Sequence, residues 1–171
     1  MGKSWIYIGF ATVMILIMIL LTIFLIEITT IVTLGNRVEN SLIGAGWAGF
    51  SEIDLSKMSE RANGIYDPET REIYLDKTKA ELMVRKYIRE NLKLNINYVP
   101  TNTSYIPHKV NPVIIDEIRI FNPDELPIVE GEINITRTTI KISVQIPMDI
   151  KGLGFRYAKK NVFVDIDSFS Q

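Results

Sequence analysis

SWIYIGFATVMILIMILLTIFLI, residues 4–26, contains no charged side chain. At about 1.5 Å of rise per residue, a helix of this length reaches past the roughly 30 Å of hydrocarbon in a bilayer. Fourteen of these residues are Ile, Leu, Phe or Val. At about 0.3–0.6 kcal/mol each they favour insertion by at most roughly 4–8 kcal/mol, an upper bound because residues near the ends contribute less. A buried helix of a soluble domain seldom runs so far without a charge. A cleaved secretory signal is the rival reading, with Lys3 as its positive start. Such signals carry about 7–15 apolar residues and then a small-x-small site, whereas this run is longer and is followed by Glu27 and more uncharged sequence. Retention as a membrane span over about residues 4–34 is therefore expected, with Trp5, Phe10, Ile17, Leu21 and Phe24 among its lipid anchors. Lys3 and the amino terminus are the charges on the short side, so the positive-inside rule places the N-terminus inward and the remainder outside.

Beyond the span, about 145 of the 171 residues remain, enough for one modest domain. Nineteen Lys and Arg against 20 Asp and Glu, interspersed, give no basic face for nucleic acid or anionic lipid. The absence of cysteine excludes disulfides, thiol catalysis and cysteine-bound metal. Two N-x-[ST] patterns, Asn102-Thr103-Ser104 and Asn134-Ile135-Thr136, are of a kind frequent by chance.

After Ile26 the apolar residues thin out rather than stop. Ile28, Ile31, Val32, Leu34, Val38, Leu42, Ile43, Trp47 and Phe50 recur at helical spacings, which extends one helix from the membrane into water and ends it before Asn63-Gly64. Residues 1–62 then form the long helix and 63–171 a head. Three glycines in Gly44-Ala45-Gly46-Trp47-Ala48-Gly49 weaken that helix by about 1 kcal/mol each relative to alanine. Gly44 with Ala48, and Ala45 with Gly49, are small-xxx-small pairs that let another helix approach; a hinge or helix end fits the same residues. Glu27 also has two readings. It marks the interfacial end of the span, or it is a buried acid paired with a cation such as Lys3 of a neighbouring subunit.

In the head, Asn63-Gly64 and Asp67-Pro68 mark turns, and Ile73–Leu75 a short extended piece. Asp76 is an N-cap, with Leu75 and Ala80 placed to staple the helix start. Ala80, Met83, Val84, Tyr87, Ile88 and Leu92 then line one face of a helix running to Leu94. Later the period becomes two. Ile140, Ile142, Val144, Ile146 and Met148 alternate with polar residues, Val162, Val164 and Ile166 repeat the pattern, and Val113–Phe121 forms a third strand closed by Asn122-Pro123-Asp124. The fold class is α+β: a long N-terminal membrane helix followed by a small head with one helix on an antiparallel sheet.

No catalytic, cofactor-binding or metal site is expected. His108, the single histidine, reads as a surface residue in a proline-spaced loop, and no P-loop, G-x-G-x-x-G, H-E-x-x-H or nucleophile elbow occurs. Asp165, Asp167 and Ser168, with Asp149, have the oxygen chemistry of a calcium site, but in an extended strand Asp165 and Asp167 merely share the solvent face.

The long apolar helix, weakened by glycine partway and leading into a helix-plus-sheet head, resembles the type IV pilin and pseudopilin plan. Several segments are similar to Tad-type pilus proteins of the TadE-like group. They are the helix from Ala80 ending Arg-Glu-Asn-Leu-Lys-Leu94, the strand and turn Ile118 to Pro127, the strand Ile140 to Pro147, and Val162-Phe-Val-Asp-Ile-Asp167. Two departures accompany the resemblance. Gly9-Phe10 imitates a leader-cleavage junction but follows the apolar Trp5-Ile6-Tyr7-Ile8, and Met14 stands where pilins place a glutamate, so Glu27 cannot take that role. The resemblance implies a prokaryotic structural or assembly subunit of a pilus or related cell-surface filament. Its partners would be membrane lipid and copies of itself or related subunits, joined through the N-terminal helix. The alternative is a single-pass anchored module whose head binds a ligand at a sheet edge.

Overall fold

The structure is a computed structural model and describes residues 2–57, 73–150 and 154–165. The chain divides into two compact units, Met1–Asn36 and Arg37–Gln171. Helix α1 (Gly2–Gly49) is continuous. It ends at Gly49, earlier than the expected limit before Asn63-Gly64. Phe50, Ser51 and Glu52 donate to carbonyls three residues back (Trp47, Ala48 and Gly49), which tightens the last turn and closes the helix. The chain then turns extended, with Ile53 bridging Leu75 in antiparallel sense. Ile53 thus serves a strand bridge and not a further helical turn.

The second unit, the head, comprises the last turns of α1, helix α2 (Lys77–Asn91), and strands β1 (Ile114–Phe121), β2 (Ile128–Glu130), β3 (Ile133–Ile135), β4 (Thr139–Ile150) and β5 (Gly154–Asp165). The α+β class is as expected. Asp76 caps α2, its carboxylate accepting from the Lys79 N–H at 3.1 Å. The helix ends at Asn91 with Leu92 as its C-cap, short of the expected Leu94, because Lys93 adopts φ 53 and the Ser104 hydroxyl donates to the Leu92 carbonyl at 2.6 Å. Strands β1, β4 and β5 form one antiparallel sheet with β4 in the middle, and β2 with β3 forms a separate hairpin. Strand β1 begins one residue later than expected and contains a bulge between Ile115 and Glu117. The larger departure is β5. It starts at Gly154 and pairs with β4 along its whole length, whereas alternation had marked only its end from Val162. Ile166 lies outside the described residues, as do Asn63-Gly64 and Asp67-Pro68.

One side of the sheet builds the core. Ile140, Ile142, Val144 and Ile146 of β4 and Val162 and Val164 of β5 are buried, along with Ala80, Val84 and Ile88 of α2 and Val38, Leu42 and Ala45 of α1. On the opposite side the β2–β3 hairpin is tied down by Lys141, whose ammonium lies 2.6 Å from both Glu117 and Glu130. Pro147 falls where β4 has run past β1, whose pairing reaches only Gln145, so its missing N–H breaks no ladder on that side. Asn122 completes the framework in an unexpected way. Buried to 1 % exposure, its side-chain amide accepts from the Leu75 N–H and donates to the Leu75 carbonyl, both at 3.0 Å, and so stands in for a strand partner.

Candidate membrane stem and helix-packing site

From Tyr7 to Ile26 every residue of α1 is exposed, among them Phe10 at 66 %, Ile17 at 45 %, Leu21 at 55 % and Phe24 at 60 %. Trp5 lies in the helix, with its side chain outside the described residues. Among the described residues, α1 is the one helix long and apolar enough to cross a membrane, and none of its most apolar 18-residue window is buried within the chain. Its threonine hydroxyls at four positions are turned onto the helix's own backbone. The hydroxyls of Thr12, Thr22, Thr29 and Thr30 each donate to the carbonyl four residues back, at 2.8–2.9 Å. Such back-bonding hides a hydroxyl where no water is available to bond it. Composition alone had not shown this feature. Glu27 is partly shielded on a helix whose neighbours at Ile26 and Ile28 are exposed.

Of the two readings of the small residues of α1, a helix end is what the structure shows, since α1 stops at Gly49. Ala45 and Gly49 are buried in the head, taken up by the chain's own elements and not left open to a neighbouring copy. A Cβ at Gly49 would sit 2.7 Å from both Ile140 Cδ1 and Val84 Cγ2. Gly46, not among the expected residues, makes an equally close approach, at 2.6 Å to Val164 Cγ2. Gly44 and Ala48 are half-exposed, and a Cβ at Gly44 would meet only Asn91 Nδ2, at 3.4 Å. The buried positions follow 38, 42, 45, 46 and 49, a helical stripe on which glycine and alanine let the sheet and α2 come close. Ile43, Trp47 and Phe50, part of the same helical spacing, are half-exposed beside it, with the Trp47 and Phe50 rings 5.4 Å apart.

Polar bonds fix α2 and the following loop to the same turns. Asn91 donates to the Ser41 carbonyl at 3.0 Å, and the Tyr105 hydroxyl lies 2.7 Å from Ser41 Oγ and donates to the Arg37 carbonyl at 3.1 Å. Burial raises the Tyr105 phenol above its ordinary value, against the opposing Ser41 hydrogen bond. Lys160 of β5 reaches Glu39 at 2.6 Å.

No known protein family, curated protein or solved structure matches the chain. Chemistry must therefore be judged from its own groups. His108 is half-buried and not a free surface residue: its ring packs at a tilt 4.8 Å from that of Phe155, and its buried Nε2 has no hydrogen-bond partner. The register separates the candidate calcium ligands, since Asp149 pairs with Phe155 at one end of the β4–β5 ladder and Asp165 pairs with Thr139 at the other. Asp167 and Ser168 lie outside the described residues. Among the described residues no three His, Asp or Glu cluster as a metal site would require.

Proposed function

We propose that the protein is a structural or assembly subunit of a type IV pilus-like or Tad-like surface filament. The apolar part of α1 sits in the membrane before assembly and among like helices afterwards, and the head lies outside the cell. The observation that carries this reading is the division of labour within one unbroken helix. From Phe10 to Ile26 it exposes apolar groups and the back-bonded hydroxyls of Thr12 and Thr22, and its last turns are the small-residue spine of the head. A helix meant only as a tether needs the first property and not the second. Exchange of lipid for helix contacts is feasible because tails and packed side chains are similarly apolar, which leaves small and polar groups to set geometry.

Shearing cells and imaging the released material tests the proposal. Fibres containing this chain, lost when Leu21 and Phe24 are replaced by serine, are the expected result. A chain that stays cell-bound and monomeric in detergent, with a head that works on an unrelated span, would instead identify an anchored binding module.

A further inference from the structure

Two asparagines of the head stand in the N-x-[ST] pattern, and the fold treats them differently. Asn102 is exposed in the loop after α2, but the hydroxyl its pattern requires belongs to Ser104, which is buried at 7 % exposure. That hydroxyl donates to the Leu92 carbonyl at 2.6 Å and accepts from the Ile106 N–H at 3.3 Å. It is one of the groups that hold the loop on the end of α2, and turning it outward breaks a buried hydrogen bond.

Asn134 lies in β3 and Thr136 just beyond it, and both are exposed. Side chains alternate along extended backbone, and Ile135 between them is buried. Asn134 and Thr136 are thereby turned together to the outer face of the β2–β3 hairpin. Among the described residues neither side chain is held by a hydrogen bond, in contrast to Ser104. Asn134 is also the cross-strand partner of Val129, which is 68 % exposed on the same face. Among the described residues β3 pairs with β2 alone, so its other edge is open. A hydrophilic chain rooted at Asn134 screens Val129 and that edge, the kind of surface onto which other chains add strands.

We propose that Asn134 is the acceptor of an N-linked saccharide and that Asn102 is not. The donor class is a saccharide joined through phosphate to a polyprenol. The Asn134 amide nitrogen bonds to C1 of the sugar as the bond from C1 to the phosphate oxygen breaks, and the amide proton leaves with the lipid phosphate. Thr136 supplies the hydroxyl by which a transferase recognises the tripeptide. The inference rests on the placement of the head outside the cell given above, the side on which such donors are used.

The test uses the full chain isolated from the cells that make it, digested with trypsin and sequenced by electron-transfer fragmentation, which keeps sugars on their side chains. Residues 120–137 form the peptide with Asn134, and residues 94–109 the one with Asn102. The first should carry a saccharide mass on Asn134 and the second its bare mass. Thr136→Val should return the first peptide to its bare mass, whereas Thr136→Ser should keep the sugar; the position is exposed, so neither change threatens the fold. Protease added to intact spheroplasts reads the placement of the head in the same cells. A head cut from outside with Asn134 bare overturns the acceptor and leaves the outer placement standing. Sugar on Asn102 as well as Asn134, sugar on Thr136 in place of Asn134, or sugar that survives Thr136→Val overturns the assignment of the site. A head protected until the spheroplasts are opened defeats the outer placement, and the acceptor with it.

Discussion

Gly46 and Gly49 are where the core approaches the backbone of α1 most closely among its described glycines. Adding a methyl at either place drives it to 2.6 or 2.7 Å from a core side chain. Overpacking of this kind costs about 1–3 kcal/mol, more than the roughly 1 kcal/mol that alanine gains over glycine within a helix. Gly46→Ala and Gly49→Ala should each lower the melting temperature in detergent, whereas Gly44→Ala, facing only Asn91 Nδ2 at 3.4 Å, should hold or raise it. Equal responses at all three positions would refute the spine. Asn122 makes a second residue-scale test. Asn122→Leu keeps the volume but orphans the Leu75 N–H and carbonyl, at about 1–3 kcal/mol for each buried group left unpaired. Chemical denaturation should register that loss, and a change below about 1 kcal/mol would show that water replaces the amide. Neither role could be read from the sequence. A glycine enters a core only because of what packs on it, and the partners of Gly46 and Asn122 are supplied by distant segments, Val164 and Leu75.

Among the elements, the β2–β3 hairpin depends on charge. Lys141 bonds both Glu117 and Glu130, so its ammonium is raised above the usual lysine value, chiefly by Glu117 and then by Glu130. The hydrogen bond from Lys141 holds the Glu130 carboxyl below its ordinary value. The depressed carboxyl stabilises above its unfolded-state pKa, and this contribution disappears as pH falls through the lower folded-state value. The raised lysine acts below its ordinary pKa and is lost as pH rises through the higher one. Stability should therefore weaken toward both acid and strong alkali, and Glu130→Gln should flatten the acid limb in denaturation at stepped pH; an unchanged acid limb would remove Glu130 from the account. The partly exposed pair Glu39–Lys160 should matter little, with Glu39→Gln shifting stability by less than about 1 kcal/mol.

Element legibility followed burial. Strand β4 was plain because Ile140, Ile142, Val144 and Ile146 all face the core, and α2 because Asp76 and the stripe through Ala80, Val84 and Ile88 agree. The first half of β5 was invisible, since Phe155, Arg156, Ala158 and Lys159 are all exposed and leave no alternation to detect.

For the molecule as a whole, the apolar run of α1 was legible at once and the head's class soon after. The boundary between the two was not. Arg37–Gly49 looks like a continuation of the stem, because a helix shows its own periodicity and not which partner covers it, yet these turns belong to the head. The central claim is that residues 7–26, exposed throughout, remain in the finished protein as a stem held by lipid or by like helices. Alkaline carbonate extraction of cell membranes, followed by N-terminal sequencing of the recovered chain, tests it most directly. The account predicts a product that stays with the membrane or fibre pellet and retains this stretch. A product found in the wash, beginning beyond Phe50, would contradict it.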